Sequence, residues 1–171
     1  MSEDPSDLLM SSADPPLIVV TTVAGGARAG CLVGFHGQAS IEPKHYAVWL
    51  SKANHTYRVA LGATHLGVHF LGAGDLPLAE RFGTTSGEDV DKFAGLEVTE
   101  GPGGLPLLAA LPHRLVGRRS ALLDVGGDHV CLPLKVESAE SPGTLTPLRL
   151  HDAAHLIPGH EADERSVGAD G

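Results

Sequence analysis

The chain has 171 residues, of which 42% are hydrophobic, 19% charged and only 4% aromatic. That is the length and make-up of one globular domain with an ordinary core. Glycine (22) and proline (12) are too abundant for a helical bundle and normal for a β-rich protein full of turns. The net charge of −9 is uneven. Residues 1–16 hold Glu3, Asp4, Asp7 and Asp14 with no base, and residues 159–171 hold Glu161, Asp163, Glu164 and Asp170 against Arg165. The acidity therefore belongs to the ends and names no partner. No basic stripe interleaved with aromatics exists, which argues against nucleic-acid binding.

Two cysteines, Cys31 and Cys131, are too few for a disulfide framework. The first residues lack a charged-then-apolar leader pattern, and no apolar run is long enough to span a bilayer. These features predict a soluble cytoplasmic protein with reduced thiols and no membrane partner. Residues 1–15 read as a flexible acidic arm, 16–158 as the folded domain and 159–171 as a flexible acidic tail.

In chain order, the β-branched run Leu17–Val23 predicts a strand. Gly25-Gly26 turns it into a second strand over 29–36, and a third short strand covers 47–50. Ser51 precedes a helix over 52–61 that Gly62 stops. Alternation from His65 to Leu71 sets Leu66, Val68 and Phe70 on one face and His65, Gly67 and His69 on the other. Asp75 is placed to cap a helix over 76–82, stopped at Gly83. Residues 84–95 read as a polar loop with a short turn near Asp89–Phe93. Two long strands, 113–125 and 129–137, flank Val125-Gly126-Gly127-Asp128 as a tight hairpin, with Val130, Leu132, Leu134 and Val136 inward. A last strand is expected over 147–151. Six or more strands with glycine turns predict an antiparallel β-barrel.

Four stretches carry a resemblance. They are Gly30-Cys31-Leu32-Val33-Gly34-Phe35 followed by Ala39-Ser40-Ile41-Glu42-Pro43; Leu50-Ser51-Lys52-Ala53-Asn54-His55-Thr56; Leu78-Ala79-Glu80-Arg81-Phe82 with Asp91-Lys92-Phe93; and Gly127-Asp128-His129. In this order, over about 16–157, the chain resembles the flavin reductase family of FMN-binding split barrels. The resemblance implies an all-β (β-rich α+β) antiparallel split barrel with two or three short helices, working as a homodimer. It implies an NAD(P)H-dependent flavin reductase: hydride passes from NADH or NADPH to FMN or FAD, and the reduced flavin passes to a flavin-dependent monooxygenase. The alternatives are a non-catalytic flavin- or haem-binding barrel, and an oxidoreductase with tightly bound FMN and a different acceptor.

The resemblance also assigns residues. A flavin needs a surface that lets backbone approach its flat ring, and an anion site for its tail. Cys31, Leu32, Val33, Gly34 and Phe35 offer the ring wall, with Ser40 in the following turn and Trp49 and Leu50 at the neighbouring strand. Ser51, Lys52, Asn54 and Thr56 at a helix start offer the phosphate site; without the resemblance they read as a capped helix beside a solvated lysine. Phe82 and Lys92 match positions near the flavin, although Phe82 also reads as core and Lys92 as a surface lysine. His129 is the catalytic candidate, orienting the nicotinamide or placing a proton afterwards. The family's usual hydroxyls are replaced by Leu32 and Gly34, which leaves backbone contacts there. Leu134 stands where relatives often carry glycine, and is expected to narrow the nicotinamide's approach.

No metal site is expected. His65 and His69 lie about 13 Å apart if both are on one strand, and no cysteine–histidine spacing suits zinc. Cys31 has no adjacent cation in sequence and reads as a buried, inert thiol. The His65–Gly67–His69 face is the expected dimer surface.

Overall fold

The computed structural model describes residues 4–156. The expected acidic tail, and the last two residues of the expected domain, lie outside them. One antiparallel sheet organises the chain. Its strands are β1 (Ile18–Ala24), β2 (Ala27–Val33), β3 (His36–Ser40), β4 (His45–Ser51), β5 (His65–Phe70), β8 (Arg114–Arg119) and β9 (His129–Glu140), in the order β2-β1-β5-β8-β9-β4-β3. A ribbon of β6 (Val98–Glu100) and β7 (Pro106–Leu108) stands apart. The helices are α1 (Pro5–Ala13), α2 (His55–Ala60) and α3 (Leu76–Thr84). The sheet curls until β2 meets β4, which makes the split barrel that the resemblance implied.

Strand alternation explains the inside. Ile18, Val20, Cys31, Val33, Val48, Leu50, Leu66, Val68, Val130, Leu132 and Leu134 all point inward and are buried together. Each large aliphatic side chain there contributes about 2 kcal/mol of transfer free energy. The alternation also sends Leu134 into the core, fully buried, so it does not stand in a nicotinamide's path. It fits because its diagonal neighbour on β8 is Gly117: a Cβ at 117 would lie 2.6 Å from that of Leu134. A second core lies outside β1 and β2, where α3 brings Phe82 against Phe93, Leu108, Leu111 and Leu148.

The His65–His69 face is not a dimer surface. The segment ending in β7 seals it: Thr21 Oγ1 donates to the carbonyl of Pro106 at 2.7 Å, and His69 is fully buried. His69 Nδ1 lies 3.2 Å from the carbonyl of Val19, and Nε2 accepts the N–H of Leu108 at 3.1 Å. A carbonyl only accepts, so Nδ1 carries the proton and the ring is neutral. Burial is the main reason its pKa falls to about 4.

Several boundaries differ from expectation. The arm holds a helix, α1, started by the Asp4 side chain accepting from Ser6 N–H and by Pro5 in its first turn; none of its residues is buried. The expected single strand 29–36 is two, because β3 leaves β2 and joins β4 as an edge. Helix 52–61 shortens to α2 because Asn54, not Ser51, is its N-cap. Asp75 makes no side-chain cap; its Oδ2 instead accepts from Gly72 N–H at 2.7 Å, closing the turn ahead of α3. Strand 113–125 ends at Arg119. Only the Leu123–Cys131 bridge and the Ser120 N–H to Pro133 carbonyl bond continue the ladder, so the tight hairpin becomes a long loop. The expected strand 147–151 is two isolated bridges, Pro16–Arg149 and Gly72–Pro147, followed by a 3-10 turn over Leu150–Ala153.

Candidate functional site

A cavity of about 350 Å³ opens where β2, the β4–α2 junction and the end of α3 converge. One wall is the run Cys31 to Phe35. The facing wall is Trp49, Leu50 and Ser51, continuing into Ala53, Asn54 and His55. The third side is Phe82 and Gly83, then Thr85 and Ser86, with Lys92 behind. Leu150, Ala153 and Leu156 of the last described turn roof it, and His129 stands at the mouth. Twelve of the fifteen residues picked from sequence and resemblance therefore line one hollow: Cys31, Leu32, Val33, Gly34, Phe35, Trp49, Leu50, Ser51, Asn54, Phe82, Lys92 and His129.

Three expected contacts lie elsewhere. Lys52 pairs with Asp124 at 3.0 Å, outside the lining. That loop is far in sequence, so nothing local announced the pairing. Thr56 is buried beneath α2 with its hydroxyl against the Cys31 thiol. Ser40 ends β3 opposite His45, away from the cavity. Of the expected phosphate site at the helix start, Ser51 and Asn54 remain in the cavity lining. Helix α2 has six residues, and Asn54 Oδ1 already takes the Thr56 N–H at 2.9 Å.

The mouth is an aromatic pair. The rings of Phe35 and His129 lie 4.8 Å apart, inclined at 57°, and Phe35 is 58% exposed. Trp49 N–H donates to the Phe35 carbonyl at 2.9 Å, fixing that loop to β4. His129 Nδ1 is 2.7 Å from Asp128 Oδ1. The carboxylate orients the imidazole, which leaves Nε2 as its second nitrogen for chemistry at the mouth. Both readings of His129 hold at once: it is bonded to Asp128, and it lines the cavity.

The floor is rigid. Lys92 is neither on the surface nor free: its Nζ donates to the carbonyls of Gly30 at 2.9 Å and Phe82 at 3.1 Å, tying β2 to the end of α3. A cation is well placed at a helix C-terminus. Burial draws its pKa below the usual lysine range, and the nearby Cys31 thiol opposes this. Cys31 is buried, as expected, and that burial pushes its thiol up against the pull of Lys92 and Thr56. Phe82 is core, edge-on to Phe93 at 5.5 Å, while still meeting the cavity.

Sequence reading missed His55, Thr85, Ser86 and the roof. His55 lies against Gly87, and burial, then Arg58 and Lys92, lower its pKa. Arg58 is itself paired with Glu88. The run Thr84-Thr85-Ser86-Gly87 at the end of an amphipathic helix was the available signal, since three hydroxyl residues and a glycine let backbone and hydroxyls face a ligand. The roof had none: Leu150 read as part of an ordinary strand, and Ala153 and Leu156 as the segment after it.

The residues present suit a flavin. The apolar walls Leu32, Val33, Phe35 and Leu50 match a flat ring, and the hydroxyl, amide and imidazole groups of Ser51, Asn54, His55, Thr85 and Ser86 match a ribityl phosphate tail. Among the described residues, no group of three or more histidine, cysteine or acidic side chains is arranged to hold a metal, and no helix is long and apolar enough to cross a membrane.

Comparison with known proteins agrees with this fold. A flavin reductase domain protein from Arthrobacter sp. FB24 superposes with a TM-score of 0.77 at 21% identity, over 86% of this chain and 90% of that one. An NADH:FAD oxidoreductase from Streptomyces globisporus C-1027 gives 0.69 at 25%, over 87% and 89%. A nitrilotriacetate monooxygenase component B homologue from Mycobacterium thermoresistibile gives 0.70 at 20%, over 82% and 78%. The family model for the flavin reductase like domain matches residues 10–154, from the last turns of α1 to the roof of the cavity, and the chain belongs to that family.

Proposed function

We propose that the chain is an NAD(P)H-dependent flavin reductase that takes FMN or FAD into the 350 Å³ cavity and releases it reduced to a flavin-dependent monooxygenase. The observation that carries the reading is the convergence of an apolar slot, a polar tail channel and the Phe35–His129 pair on one opening. A flavin held there accepts hydride at its ring and is the redox partner of the nicotinamide.

The chain's own work is positioning. Leu32, Val33 and Leu50 exclude water from one face of the ring. Ser51, Asn54, Thr85 and Ser86 orient the tail. His55, kept neutral by its surroundings, gains a partner for a proton when an anionic phosphate approaches. Phe35 and His129 offer the flat apolar edge on which a nicotinamide stacks, and His129 Nε2 reaches its amide or moves a proton afterwards. Exposed Phe35 and Trp49 at the rim support a homodimer in which a second copy shelters the mouth.

The test is a titration of the purified protein with FMN, followed by fluorescence quenching, and then nicotinamide oxidation with and without added flavin. The reading expects saturable quenching and oxidation that depends on added FMN. Quenching without oxidation would leave a flavin-binding barrel, and flavin retained through purification would leave the tightly bound cofactor.

A further inference from the structure

The cations of this acidic chain are nearly all occupied. Arg28, Lys52, Arg58 and Arg114 meet carboxylates, and Arg81, Lys92, Arg119 and Arg149 donate to carbonyls. Among the described residues, Lys44, Arg118 and Lys135 have neither kind of partner, and all three are exposed.

They are also neighbours. The register sets His65 opposite Arg118, Arg118 opposite Lys135, and Lys135 opposite His45, straight across β5, β8, β9 and β4 on the sheet's outer face. Lys44 precedes His45, its carbonyl accepting from Val136 N–H. Strands are about 4.8 Å apart, and like charges directly opposite are destabilising. The flanks of this row are neutralised: Glu137 bonds His65 and Glu140 pairs with Arg114 at 3.6 Å. The centre is not.

We propose that this cationic row is a docking surface for an acidic patch on a partner protein. By the reading above, on which only the partner's identity rests, that partner is the oxygenase that consumes the flavin. Three features favour a protein. Ile41, 75% exposed in the turn beside Lys44, supplies an apolar anchor next to the charges. The bordering carboxylates Glu42, Glu137 and Glu140 oppose the continuous negative charge of a nucleic-acid backbone. A second copy meeting this face around a twofold axis would bring the row against itself, which repels. The row also lies about 20 Å along β9 from His129, near the mouth without covering it.

The test compares the wild-type protein with the doubly reversed variant R118E/K135E, using poly-L-glutamate, a duplex DNA of matched charge and the protein alone. The surface expects poly-L-glutamate to bind the wild type with an affinity that falls with salt, the variant to bind at least about tenfold more weakly, and amide shifts in the complex to cluster at residues 44, 118 and 135. Equal affinity in the two proteins, tighter binding of DNA, or self-association lost in the variant would each overturn it. Oxidation of nicotinamide with free FMN is measured in parallel. It is expected to be unchanged in the variant, and its absence from both proteins would sink the flavin reading while leaving the docking result to stand by itself.

Discussion

Two histidine regions on the same sheet have opposite fates. His69 sits where β7 seals the outer face of β5, bonded to Val19 and Leu108 and shut off from water. His129 sits at the open end of β9, beside Phe35, with Asp128 holding one nitrogen. Both alternate outward on their strands, so the strand pattern treats them alike. What separates them is whether another segment covers the face. The lesson is that an imidazole in a β-barrel becomes a bolt or a tool according to its cover, and the cover comes from distant sequence.

The sharpest way to break the comparison is to remove the bolt. Replacing His69 with leucine orphans the buried Leu108 N–H, and is expected to lower stability by about 2 kcal/mol in urea unfolding. An unchanged unfolding midpoint would mean that β7 does not depend on the ring.

Acid provides a second test of the same contact. The folded pKa of His69 is about 4, below the ordinary histidine value of 6.5, so the unfolded chain binds the extra proton first. Stability from the neutral ring is complete above the unfolded value and is lost as pH falls through the folded one, a loss on the order of 3 kcal/mol. His36, also lowered by burial, adds in the same direction. The His69→Leu variant is expected to lose most of this slope in unfolding measured between neutral and acidic pH.

At the open end the effects are smaller and fall on function. His129→Ala is expected to raise the apparent KM for the nicotinamide about fivefold, roughly 1 kcal/mol of binding, with flavin affinity nearly intact. Loss of flavin affinity alone would move the residue to the flavin. The smallest effect belongs to Lys52. Because its ammonium is held by Asp124, Lys52→Ala is expected to change FMN affinity by less than about twofold at any salt, as for an exposed ion pair. A marked loss confined to low salt would return it to the phosphate.

The same contrast marks what was legible in sequence. Periodicity carried β1, β5, α3 and the inward face of β9, because each buries one side against an apolar neighbour. It missed the division between β2 and β3, since His36, Gly37 and Gln38 form a polar edge with no apolar alternation to read. Resemblance gathered most of the cavity, because its walls are contiguous segments. It misplaced Lys52 and Thr56, whose partners Asp124 and Cys31 are set by tertiary packing. His55 and Ser86 were invisible for the same reason: the cavity joins them across thirty residues.

Leu134 and Gly117 fill one space between them. Such positions are inherited as a couple: a descendant that trims 134 to glycine leaves a hole that only a larger residue at 117 can close, and one that enlarges 117 alone collides with its neighbour. Across relatives, bulk should pass back and forth between β8 and β9 while the sum stays level. The leucine here is therefore one half of a packing couple inside the barrel, outside the lining of the cavity.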